Sequence, residues 1–141
     1  MIIKMVKTED DIENAFKIRK CVFIEEQKIP ENIEIDQFEK QSDHFLILDD
    51  KNPIGTARVR YLDNKTAKIE RMAILKENRN KGAGSVLFKY ILEFLKEKEI
   101  SIVTINAQLH ARDFYCKFDF NQVGDVFEEA GIKHIKMERE L

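Results

Sequence analysis

Three strand-like runs follow one another between His44 and Leu75, and the turns between them are very short. His44-Phe45-Leu46-Ile47-Leu48 stops at Asp49-Asp50-Lys51-Asn52, residues 54–62 carry Thr56, Val59 and Tyr61 up to Asp63-Asn64, and residues 66–75 form the third run. A parallel connection needs about a dozen residues or more, so these runs predict an antiparallel meander. Around it the periodicity changes. Residues 2–6 read as a short strand. Thr8 then offers an N-cap, with Asp11 three residues on, and Ile12, Ala15, Phe16, Arg19, Val22 and Phe23 predict an amphipathic helix over 9–23. The acidic stretch from Glu25 to Glu39, broken by Pro30, reads as a loop with one short helix. After the meander, Leu87, Ile91, Phe94 and Leu95 mark the apolar stripe of a helix from about Gly82 to Lys98. A strand over 101–108, a helix over 110–118 and closing strands near 120–127 and 133–140 complete the order βα(α)βββαβαββ. That order predicts an α/β fold with a mixed sheet and helices on its faces.

A chain of 141 residues fits one domain, taken here as 1–141. The net charge is −2, from 24 basic and 26 acidic side chains, so the basic excess that would favour nucleic acid is missing. No apolar run approaches the ~20 residues that span a bilayer, and Met1-Ile2-Ile3-Lys4 does not open a signal peptide. Cys21 and Cys116 lack metal-ligand spacing and read as free thiols of a cytoplasmic protein. No metal, nucleic-acid or membrane partner is expected, and a homodimer is compatible with the sequence.

The segment richest in chemistry is Arg79-Asn80-Lys81-Gly82-Ala83-Gly84, between a strand and an amphipathic helix. Glycines let the backbone turn tightly and approach a ligand, and the first helical turn offers N–H groups without intrahelical acceptors. Together with the helix dipole these suit a phosphate or pyrophosphate. The plainer reading is a helix start with chance glycines and a solvated basic loop. Neither GxxxxGK[ST] nor a GxGxxG after the first strand is present.

This segment matches the Arg/Gln-x-x-Gly-x-Gly/Ala motif of the GNAT superfamily, which it resembles on both sides as well. Ala111-Arg-Asp-Phe114-Tyr115-Cys-Lys117-Phe-Asp-Phe120 is similar to the superfamily's FYxKxGF segment, with Asp119 in place of glycine. Cys21-Val-Phe-Ile-Glu-Glu-Gln27, Asp36 and Glu129-Ala-Gly131-Ile-Lys-His134-Ile-Lys-Met137 resemble the ElaA/YjcF-like branch. The resemblance implies a GNAT-like acyl-CoA N-acyltransferase fold and transfer from acetyl-CoA to the primary amine of a small molecule or peptide. The backbone of Arg79, Asn80, Lys81, Gly82, Ala83 and Gly84 would hold the CoA pyrophosphate. Met72, Ala73 and Ile74 would pair with the pantetheine arm, Asn106 and Phe114 would line the groove, and Tyr115 would protonate the departing thiolate.

An ammonium acceptor must lose a proton before it attacks. Glu70 is the sequence's candidate base. By strand alternation it shares a face with Lys68, Met72 and Ile74, where apolar neighbours would raise its pKa. The plainer alternative is an ion pair with Lys68 or Arg58. Glu26, Gln27 and His134 are candidate acceptor-binding residues. The acidic stretch with Glu25, Glu26, Glu31, Glu34 and Asp36 is compatible with a cationic acceptor, although such runs are usually solvated surface. A non-catalytic CoA-binding regulatory module and a nucleotide-binding domain are the alternatives to an enzyme.

Overall fold

The computed structural model describes all 141 residues. The meander comprises β2 (Asp43–Asp49), β3 (Asn52–Tyr61) and β4 (Thr66–Ile74), with β1 (Ile2–Met5) added antiparallel to β2. Between β2 and β3, Asp50 and Lys51 take φ of 49° and 70°, the double left-handed turn that matches hairpin twist. β5 (Ile102–Gln108) lies parallel to β4, and β7 (Ile132–Glu140) is antiparallel to β5, which leaves β6 (Asn121–Glu129) at the edge. The sheet order is β1-β2-β3-β4-β5-β7-β6.

Thr8 caps α1 (Glu9–Arg19) by accepting the Asp11 N–H at 3.1 Å. The Asp11 carboxylate does not complete a capping box; it pairs with Lys4 at 2.9 Å. The helix expected up to Phe23 changes type partway, because Lys20–Glu26 form a π-helical turn whose wider ring ends with the Gln27 N–H on the Val22 carbonyl. The short helix expected in the acidic stretch is α2 (Glu31–Glu34). α3 (Ala83–Glu97) buries Phe88 and Leu92 beside the expected stripe. α4 (Arg112–Cys116) leads to a turn in which Asp119 adopts φ 64°, so aspartate fills the left-handed position that glycine usually takes.

Each face of the sheet has its own core. α3 and α4 cover Phe45, Ile47, Val59, Ile69, Val103, Ile105, Ile135 and Met137; α1 and the π turn cover Leu46 and Ala73. Two backbone departures in β4 shape the site. First, β4 pairs with β5 only through Thr66, Ala67 and Lys68, so the two strands part beyond Lys68. Second, the β3 register passes from Thr56↔Ala73 to Arg58↔Glu70, and Arg71 bulges out with φ 54°. The bulge shifts the side-chain alternation by one residue. Ala67 and Ile69 face the larger core, and beyond the bulge Met72 and Ile74 continue on that face. Glu70 therefore does not share a face with Met72 and Ile74, contrary to the regular alternation.

Candidate active site

The gap between β4 and β5 leaves a strand edge without a ladder. The Leu75 N–H turns to Ile54 of β3 at 2.9 Å, so by alternation the N–H groups of Ile74 and Met72 point away from β3 into the gap. Gly82 is the N-cap of α3 at φ 83° and offers no side-chain cap, so the first N–H groups of that helix stay open for an outside acceptor. Asn80, at φ 64°, makes the other left-handed turn of the loop. A Cβ built on Gly82 meets no atom within 4 Å, and one on Gly84 would touch Met72, Phe114 and Ile74 at 3.7–3.8 Å. The loop thus opens directly onto the apolar wall that those three residues share.

Tyr115 stands at the far end of that wall. Its ring packs on Phe88 at 5.2 Å, and its hydroxyl lies 3.9 Å from the Met72 sulfur. Burial pushes the phenol up to about 12, so it stays protonated at neutral pH. Asn106 lies on β5, level with Lys136 of β7 and on the stretch that has parted from β4.

Other candidates are placed differently. Arg79 spans β4 and the π turn, donating its Nε to the Ile74 carbonyl at 2.9 Å and its terminal nitrogens to both carboxylate oxygens of Glu26 at 2.7 and 2.8 Å. Glu26, at the end of the π turn, is thus held by Arg79, whose hydrogen bonds keep its carboxyl below the ordinary value. Gln27 exchanges amide hydrogen bonds with Gln108 at 3.2 and 2.8 Å, and Gln108 also meets His110 at 2.7 Å. This bridge from the π turn to the end of β5 was not visible in the sequence. His134 sits level with Gln108, buried against Phe127, with Nδ1 on the Ile132 carbonyl at 2.7 Å.

Glu70 also stands in a setting other than the expected apolar one. Burial alone would raise its carboxyl, but Arg58, Lys68 and Arg60 outweigh burial and hold it below its ordinary value. Arg58 and Arg60 donate to its Oε1 at 3.1 and 2.9 Å, so the plainer pairing with Arg58 and Lys68 is the observed one. Part of the acidic stretch is likewise turned inward. Glu34 and Glu39 bind Arg19, Asp36 binds Arg58, and Arg71 of the bulge reaches Glu34 at 3.0 Å and Asp36 at 3.2 Å. These carboxylates are not free to receive a cationic acceptor. Arg71 was missed because only the bulge brings it to α2.

The description Acetyltransferase (GNAT) domain matches residues 11–141. The chain belongs to the GNAT acetyltransferase family. It is 34% identical to the uncharacterized N-acetyltransferase YjcF of Bacillus subtilis, over 94% of this chain and 95% of that protein. The crystal structure of Escherichia coli ElaA superposes with a TM-score of 0.86 at 25% identity, covering 99% of this chain and all (100%) of that one. A GNAT family acetyltransferase from Elizabethkingia anophelis, solved with acetyl-CoA bound, shares the fold at a TM-score of 0.73 and 17% identity, over 99% and 98% of the two chains. The ElaA/YjcF-like resemblance and the mixed-sheet fold are both confirmed. No helix is long and apolar enough to cross a membrane.

Proposed function

We propose that this acetyltransferase uses acetyl-CoA and delivers the acetyl group directly to a primary amine. The observation that carries this reading is the open edge of β4 at Met72 and Ile74, continuous with the uncapped start of α3. Acetyl-CoA supplies an activated acyl carbon and a thiolate leaving group. The backbone of Arg79, Asn80, Lys81, Gly82, Ala83 and Gly84 would hold its pyrophosphate. The main chain of Met72, Ala73 and Ile74 would hold the pantetheine, with one N–H polarising the thioester carbonyl. Phe114 and Asn106 would line the two sides of the groove. In this reading the Arg79 side chain braces the loop against Glu26, and binding falls to the loop's main chain. Gln27 and His134 remain candidates for the acceptor side through their common neighbour Gln108.

Calorimetric titration with acetyl-CoA, CoA and ATP, followed by free-thiol release across an amine panel, tests the proposal. Binding of CoA without thiol release would assign a CoA-binding regulatory module instead. ATP binding without CoA binding would remove the reading altogether.

Tyr115 is assigned to the leaving sulfur. Outright transfer from a phenol near 12 to a thiolate whose parent thiol is near ~8.5 would be uphill by about 5 kcal/mol. The hydroxyl therefore serves as a hydrogen-bond donor that passes on its proton as it receives the amine's. Tyr115→Phe is expected to lower kcat about 100-fold while the Kd for acetyl-CoA changes less than about twofold. An unchanged kcat would remove Tyr115 from the chemistry.

Glu70 is assigned to charge balance around Arg58, Arg60 and Lys68. A carboxylate held below its ordinary value stays ionised at neutral pH, and taking a proton from an amine near ~10.4 would be uphill by more than the roughly 8 kcal/mol that an ordinary glutamate would face. The neutral amine is then supplied by solvent equilibrium. With a lysine-like acceptor, kcat/KM should rise about tenfold per unit from pH 6 to 9, and Glu70→Gln should keep that slope whatever its height. A slope that vanishes in the Gln variant would make Glu70 the base.

A further inference from the structure

The bulge places the groove-lining residues Met72 and Ile74 on the face covered by α3 and α4, and leaves Lys68, Glu70 and Arg60 on the opposite face. With the thioester in the gap and the first face covered by α3 and α4, an amine arrives from the second face, where β4 and β5 begin to part. The last paired row there is Arg60↔Lys68↔Thr104, immediately before the gap. Its charge is unbalanced. Five cations, Arg19, Arg58, Arg60, Lys68 and Arg71, share four carboxylates, Glu34, Asp36, Glu39 and Glu70.

The uncompensated donors gather at one end of this network. Arg19, Arg58 and Arg71 each contact at least two carboxylates. Arg60 and Lys68 have Glu70 alone. Only the Nε of Arg60 is hydrogen-bonded, and the flat face of its guanidinium is fixed by the Phe38 ring at 4.0 Å, so both terminal nitrogens lack a protein acceptor. The Lys68 ammonium stands 3.7 Å from Glu70, beyond hydrogen-bond reach, and is only 17% exposed. Two partly buried cations flank one carboxylate with donors unused, beside the opening through which the acceptor enters.

Resting on the acetyl-transfer reading above, we infer that Arg60 and Lys68 form a subsite for a carboxylate carried by the acceptor. The acceptor is then an amino acid or acidic amine, not a polyamine. A planar guanidinium beside an ammonium suits a carboxylate's two oxygens, and the single positive excess matches its single charge. A polyamine would bring a second ammonium against two existing cations, a like-charge contact that costs affinity.

Three acceptors of one chain length test this: 4-aminobutyrate, 4-aminobutanamide and 1,4-diaminobutane, assayed by thiol release from acetyl-CoA. The wild-type kcat/KM should favour the carboxylate over its amide by at least about tenfold. Lys68→Met should bring that ratio close to one, and Lys68→Arg should restore most of it. A wild-type preference for the diamine, or a ratio untouched by Lys68→Met, overturns the subsite. If no amine releases thiol, the transfer reading fails separately. The subsite is then decided by titrating the CoA-saturated protein with butyrate and following the side-chain nitrogens by NMR. Shifts confined to Arg60 and Lys68 support it, and their absence overturns it.

Discussion

Leucine at position 84 should weaken acetyl-CoA binding by at least about 100-fold, whereas alanine at the same position should leave Kd within about threefold. Gly84 lies in the first turn of α3, and a Cβ there makes ordinary contact with Met72, Phe114 and Ile74 at 3.7–3.8 Å. A methyl group therefore fits, which gives a physical reason for the Gly/Ala tolerance of the family motif at this position. The additional carbons of leucine have to enter the groove between those three side chains, where the pantetheine would lie. Losing 100-fold corresponds to about 2.7 kcal/mol, within the ~1–3 kcal/mol typical of forcing extra methylenes into a packed space. Helix propensity works the other way, since both substitutes favour a helix over glycine by about 0.5–1 kcal/mol. The Leu variant should thus remain folded by circular dichroism and thermal melting while failing in calorimetry. Normal affinity in Gly84→Leu would mean that the cofactor does not pass between Met72 and Phe114.

What could be read from the sequence was whatever local rules decide. The Asp50-Lys51 turn, the Thr8 cap and the helix start near Gly82 each depend on a few consecutive residues. Gly82–Gly84 and Phe114–Tyr115 were found because their motif spacing survives in the chain order, and the fold brings both segments to Met72. The electrostatics of Glu70 were half legible: the sequence offered the pairing with Lys68 or Arg58 but could not choose it over an apolar setting. The Arg58 and Arg60 that lower its pKa lie across the β3–β4 hairpin, and the bulge at Arg71 breaks the period-two rule that had placed it among apolar neighbours. Glu26 and Arg79 lie 53 residues apart, and a π turn decides where Glu26 points, so spacing could not reveal their pairing. The acidic stretch misled for a similar reason: charge runs usually face solvent, but Arg19, Arg58 and Arg71 turn Glu34 and Asp36 inward.

Glu34→Ala should destabilise the protein by about 3 kcal/mol in urea unfolding, whereas Glu31→Ala, three residues earlier on α2, should stay within about 0.5 kcal/mol. Glu31 is exposed and enters no ion pair, while Glu34 is 2% exposed and faces an equally buried Arg19 at 3.0 Å. Removing one member of a buried pair leaves the other charge without compensation, at a cost of about 3–5 kcal/mol. The lower end applies because Arg19 keeps Glu39 at 2.8 and 2.7 Å. The two carboxyls respond to pH with opposite signs. Burial raises Glu34, so its titration contributes stability that is lost as pH rises through its folded value. Burial would raise Glu39 as well, but Arg19 holds it down at about 2, so its contribution is lost as pH falls from about 4.5 towards 2. Loss of Glu34 also removes the side chain that fixes Arg71 at 3.0 Å, leaving Asp36 and main-chain carbonyls to hold a residue strained at φ 54°. The bulge that aims the Met72 N–H into the gap would then relax. In Glu34→Ala kcat should accordingly fall further than affinity for acetyl-CoA does, because the loop at Gly82 is anchored elsewhere. A stability equal to that of Glu31→Ala would show that Arg19 is content with Glu39 alone. An unchanged kcat in a destabilised variant would show that the bulge holds its shape without α2.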